Sequence, residues 1–143
     1  MAFEVGLTLV DDYARTTTRR FTNTAALVAD ALTQVGAFIT LLLAVSDAGT
    51  VKHEITTRTV ASNAADSGAN KDVGGTIHCR LDNGKVYPLH IPCIKAAMLN
   101  PDGTIDIADA AITAYVDEFM TGGHFTVSEG NLIDEILYGE LDG

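Results

Sequence analysis

The feature that most constrains this chain is the apolar segment at residues 24–45, TAALVADALTQVGAFITLLLAV. Leu27, Ala31, Leu32, Val35, Phe38, Ile39, Leu42 and Val45 recur at helical spacing, and beyond Val35 the segment is apolar nearly all round. A helix of that kind needs cover on both faces. A bilayer span takes about 20 mostly apolar residues. Here Asp30 and Gln34 interrupt the run, and no basic residues flank it. The segment therefore predicts a buried helix, N-capped by Thr22, Asn23 or Thr24 and ending near Ser46. A sheet can cover one face and a neighbouring subunit the other.

Most of the remaining chain reads as strands. Phe3, Val5, Leu7 and Leu9 alternate with Glu4, Gly6 and Thr8, the period of a half-buried strand. Asp11 and Asp12 make a turn into RTTTRRF at residues 15–21, a Thr-rich edge strand whose arginines discourage uncontrolled pairing. Residues 51–61 return to alternation, and residues 62–75 (SNAADSGANKDVGG) read as a mobile loop. Asn83-Gly84 between alternating segments predicts a two-residue type I′ hairpin, setting Leu81 opposite Val86, Arg80 opposite Tyr87 and Ile77 opposite His90. Pro88 confines the second strand to an edge or a bulge. After the Asn100-Pro-Asp-Gly103 turn, Asp106 caps a helix to about Thr121 with the stripe Ile107, Ala111, Ile112, Tyr115 and Phe119. Gly122 and Gly123 stop it, residues 125–127 form a short strand, and Leu132, Ile133, Ile136 and Leu137 predict a last amphipathic helical turn. The expectation is a single α+β domain over residues 1–143. Its mostly antiparallel sheet follows the order β-β-α-β-β-β-α-β-α, with one long buried helix and a second amphipathic helix packed on the sheet.

A chain of 143 residues, 47% hydrophobic and 20% charged, suffices for one domain with a real core. Its net charge of -10 argues against a nucleic-acid binder, which carries a basic footprint. The charge is segregated. Residues 1–95 hold nine acids and nine bases, whereas residues 96–143 hold ten acids and no Lys or Arg. Opposite charges at separate places steer copies of a protein together. The expected subunit contacts are Arg15, Arg19 and Arg20 on one side and Asp117, Glu118, Asp134 and Glu135 on the other, with Phe38 and Leu42 on the apolar helix. The N-terminus lacks the basic start of a secretory signal, and two cysteines suit a reducing cytoplasm better than a disulfide scaffold.

Candidate chemistry is sparse. His78, Cys79, His90 and Cys93 lie close in sequence, but the expected register puts Cys79 and His90 on one sheet face and His78 and Cys93 on the other. Four ligands cannot meet one tetrahedral zinc from both sides of a sheet. The same separation leaves no disulfide. NPDGTIDIAD at residues 100–109 echoes part of a calcium loop, yet Met98 stands where the first acidic ligand belongs and Asp109 where a bidentate Glu is usual. A turn and a helix cap explain Asn100, Asp102, Asp106 and Asp109 more simply. No nucleophile elbow, Cys-His pair with an oxyanion donor or Gly-rich phosphate loop is present. His53, His78, His90 and His124 lie on or beside strands, without partners for acid-base work. The chain is therefore expected to have no catalytic, cofactor-binding or metal-binding residues and not to be an enzyme.

The stretch DNGKVYPLHIPCIKAAMLNPDGTIDIADAAITAYVDEFMTGGHFTVSEGN resembles the C-terminal half of small structural proteins of bacteriophage virions. In those, a strand ending in Ile-Pro and a Lys leads through an Asn/Gly turn into an Asp-Ile-Ala-Asp-Ala-Ala helix and a short strand with Ser-(Glu/Asp)-Gly. The resemblance covers residues 82 to about 139. It implies a virion protein without enzymatic activity, assembled in the host cytoplasm and contacting copies of itself and other virion proteins. The resemblance does not separate capsid from tail; the expectation is a capsid coat or cement protein in preference to a tail tube, with neither membrane nor sequence-specific nucleic acid as a partner. The alternative is a small cytoplasmic binding or accessory domain that takes a ligand or partner on its sheet.

Overall fold

The computed structural model describes residues 3–10, 16–47, 50–55, 58–63, 74–127 and 129–142. Arg15, the turn at Asp11 and Asp12, and residues 64–73 of the expected loop lie outside the described residues. The fold is α+β, and its elements run β1 (Phe3–Val10), β2 (Thr16–Asn23), α1 (Val28–Val45), β3 (Thr50–Ile55), β4 (Arg58–Asn63), β5 (Gly75–Leu81), β6 (Val86–Ile91), α2 (Ala110–Asp117), β7 (Phe125–Thr126) and β8 (Ile133–Leu141). The strands form two antiparallel sheets, a five-stranded one ordered β4-β3-β1-β2-β7 and a three-stranded one ordered β6-β5-β8.

Alternation along β1 sends Phe3, Val5 and Leu7 into the core from the centre of the larger sheet. Strand β2 pairs β1 in the register Val5↔Phe21 and Leu7↔Arg19. On its other side β7 reaches only Thr22 and Asn23. Residues 16–21 therefore have no strand beyond them among the described residues. The alternating stretch at 51–61 is two strands, β3 and β4, paired from Thr50↔Asn63 to Ile55↔Arg58.

Helix α1 begins at Val28, later than expected. Its N-cap is Leu27, which provides no side-chain bond. The expected caps instead anchor the chain ahead of the helix: Asn23 Oδ1 accepts from the Ala25 N–H at 3.0 Å, and the Thr24 hydroxyl donates to the His124 carbonyl at 3.3 Å. Asn23 is buried and donates through Nδ2 to Gln34 Oε1 and to the His124 carbonyl. The helix buries Ala31, Val35, Phe38, Ile39, Leu42 and Val45. Phe38 lies at the centre of an aromatic cluster, its ring 4.9–5.7 Å from those of Phe21, Tyr115, Phe119 and Phe125. Offset and edge contacts of this kind add about 0.5–1.5 kcal/mol per pair beyond burial.

Helix α2 is shorter than the expected span from Asp106 to Thr121. Its cap is Asp109, whose carboxylate accepts from the Ala111 N–H at 2.8 Å; Asp106 instead closes a turn by accepting from the Ala108 N–H. Ile112, Tyr115 and Val116 are its buried stripe. Gly123 then lies against the carbonyls of Asp117 and Glu118, where a Cβ has no room.

Two local readings are corrected. The hairpin joining β5 and β6 is not a two-residue type I′ turn. Gly84 donates to the Leu81 carbonyl and Leu81 to the Lys85 carbonyl, and only Gly84 (φ +86°) has positive φ in the turn. This is a three-residue loop with a Gly bulge, the next commonest hairpin solution. It moves the register by one, giving Arg80↔Val86, Cys79↔Tyr87, Ile77↔Leu89 and Thr76↔His90. The C-terminal segment is a nine-residue strand rather than a helical turn. Two register shifts in its pairing with β5 break the alternation of Ile133, Ile136 and Leu137.

Candidate functional site

The register of the small sheet decides which side chains meet. Gly75, Ile77, Cys79 and Leu81 of β5 and Leu89 and Ile91 of β6 face the core. Thr76, His78 and Arg80, with Val86, Pro88 and His90, therefore share the outer face, because directly paired residues point the same way. Strand β8 completes three cross-strand rows: His90, Thr76 and Glu140; Pro88, His78 and Tyr138; Val86, Arg80 and Glu135.

These rows bind acids to bases within one chain. Arg80 reaches Glu135 at 2.7 Å and Asp134 at 3.2 Å. His78 Nε2 stands 3.0 Å from Glu140, and its ring stacks on Tyr138 with centroids 4.4 Å apart. His90 Nδ1 contacts Asp142 at 2.7 Å. Away from this sheet, His124 Nδ1 pairs with Glu118 at 2.8 Å. Each histidine with a described side chain thus meets a carboxylate from the acidic last third. Sequence reasoning missed this face because it paired the strands one residue out of register. The signal was present in the shared polar period of Thr76, His78 and Arg80 and of the acids after Ile133.

The new register also overturns the face assignment used against zinc. His78 and His90 are neighbours on the outside, while Cys79 lies on the inner face. Among the described residues no three His, Cys, Asp or Glu side chains converge to hold a metal. In the turn at 100–109, Asp102 accepts from both the N–H and the hydroxyl of Thr104, and those bonds hold its carboxyl below its ordinary value. Asp106 and Asp109 are committed to backbone N–H groups of their own turns.

The expected subunit contacts fare unequally. Phe38 and Leu42 are corrected outright: both are buried in the chain's own core, because the stripe that packs inward runs through them. Arg20 pairs with Glu4 at 3.1 Å across the exposed face of β1 and β2. Asp134 and Glu135 share Arg80, and Glu118 holds His124. Asp117 is exposed at the end of α2. Arg19 lines a cleft of about 340 Å³ between β2 and β6, with Phe21, Tyr87, Pro88, Leu89 and His90. Half-burial and the Arg19 charge push His90 below the ordinary imidazole value, outweighing the pull of Asp142.

The uncovered surface of α1 is the other candidate. Val28–Val45 has a mean hydropathy of 1.9, long and apolar enough to cross a membrane by length and composition. In this fold its inner stripe is part of the core. The outer surface presents Leu27, Val28, Ala29, Thr33, Ala37 and Thr40, all exposed. Thr33 and Thr40 donate their hydroxyls back to the carbonyls of Ala29 and Gly36. Past Asp30 the helix carries no charge. In comparisons with known proteins, no family model, no curated protein and no solved structure matches this chain.

Proposed function

We propose that this protein is a structural subunit of a bacteriophage particle, a capsid coat or cement protein in preference to a tail-tube protein, which assembles with copies of itself in the host cytoplasm. The observation that carries the reading is the outer surface of α1, four turns of helix without a charge beyond Asp30 and with Leu27 63% exposed. Such a surface gains free energy when a neighbour covers it, at roughly 25 cal/mol per Å² of apolar area. The resemblance of residues 82–139 to virion proteins supplies the particle. The segregated charge supports association too, although the pairs on the small sheet absorb part of the acidic excess within the chain.

Light scattering and sedimentation over a wide concentration range test the reading. The expected result is mass that rises with concentration, and loss of that rise in Ala37→Glu, which charges the outer surface of α1 without touching the core. A stable monomer throughout would overturn it. A second reading, a small accessory domain that binds a ligand or partner without catalysis, is favoured by the cleft between β2 and β6.

A further inference from the structure

His90 occupies the seam between the two sheets, on the outer row of β6 and in the cleft whose opposite wall is Arg19 and Phe21 of β2. Its partner Asp142 is fixed from three directions. His90 Nδ1 lies 2.7 Å away, the Thr76 hydroxyl donates to it at 2.5 Å, and the Asp142 N–H donates to the Gly74 carbonyl at 2.9 Å. Gly74 leaves room for this arrangement: a Cβ there would stand 2.7 Å from His90 Cε1 and 2.9 Å from Asp142 Oδ2. The charged and titratable groups around the ring are thus Asp142 just past β8, Glu140 of β8 in the same cross-strand row, Arg19 from β2, the Tyr87 phenol of β6 and His78 of β5, whose ring is already paired with Glu140, while Thr76 between them is neutral.

We propose that His90 is a proton-sensitive wedge: acid turns a neutral ring that donates to Asp142 into an imidazolium opposed by Arg19, and the cleft between β2 and β6 opens. A carboxylate only accepts, so the neutral ring must donate through Nδ1. Protonation keeps that bond but adds a second cation to a half-buried cleft that already holds a guanidinium. The balance runs against the cation, since burial and Arg19 together outweigh Asp142. The folded protein consequently binds fewer protons than the unfolded chain just below the ordinary imidazole value of about 6.5. The stability contributed by neutral His90 is whole above that value and is lost as the pH falls through it towards the lower folded value.

Amide exchange and histidine NMR on the full chain test this. Between about pH 7.5 and pH 5.5, and after correction for intrinsic rates, protection of β6 and of residues 16–21 should fall roughly threefold or more, with α2 unchanged. The His90 Cε1 proton should titrate below the free imidazole value. His90→Gln should remove the acid response, and Arg19→Gln should raise the His90 titration and blunt the loss of protection. Should His90→Gln fail to fold, the wild-type titration and Arg19→Gln still decide. Protection that ignores pH, an equal acid response in the His90→Gln protein, or a His90 titration unmoved by Arg19→Gln overturns the proposal.

Discussion

Cys79 points into the core from β5 with no exposed surface, and burial pushes its thiol up to about 12. The thiolate is the reactive form. A disulfide reagent at pH 8 is therefore expected to leave Cys79 untouched in the folded protein and to modify it fully in guanidinium, as absorbance and mass spectrometry would show. Rapid labelling without denaturant would mean that the inner face of β5 opens. Phe38 and Leu42 illustrate what single residues conceal in a sequence. Both belong to the apolar stripe, but a stripe that wraps a helix does not say which part its own chain covers. The small residues Ala29, Thr33 and Ala37 marked the outer side, and they are inconspicuous beside the larger ones.

Elements were legible where one period dominates. The alternation of Phe3, Val5 and Leu7 is β1, and the 3.6 spacing from Ala31 to Val45 is α1. Legibility failed where local geometry broke the period. Strand β8 carries two register shifts, so Ile133, Ile136 and Leu137 fall at spacings that mimic a helix. The β5–β6 hairpin was placed correctly by Asn83-Gly84, yet the extra turn residue reversed the faces and hid the rows of acids and bases. Capping separates equally plausible candidates: of Asp106 and Asp109, only the second caps α2. Asp109→Ala is expected to cost about 1 kcal/mol, read as a lower urea midpoint with unchanged slope. Asp106→Ala removes a turn bond, not the cap, and should cost less.

The molecule as a whole carries a net charge of -10, and two of its arginines are engaged with acids of their own chain: Arg20 with Glu4, Arg80 with Asp134 and Glu135. If copies are steered by charge, the edge formed by β2 is where the field matters. Arg19→Glu with Arg20→Glu should slow association at low salt and reverse its salt dependence, so that added salt speeds the variant's assembly where it slows the wild type's, measured as scattering against ionic strength. Assembly identical to wild type would remove charge steering while leaving apolar contact through α1 intact. The α+β class was readable from composition and period. The division into two sheets was not, since it depends on which strand pairs with which across long stretches of chain.

That division sets an order of events during synthesis. Strand β5 has β6 on one side and β8 on the other. A ribosome therefore delivers the β5–β6 hairpin well before the strand that completes its sheet, and pairing over such separation is slow. Until Leu141 has left the exit tunnel, one flank of β5 is bare, and nascent chains crowded on one message share that open flank.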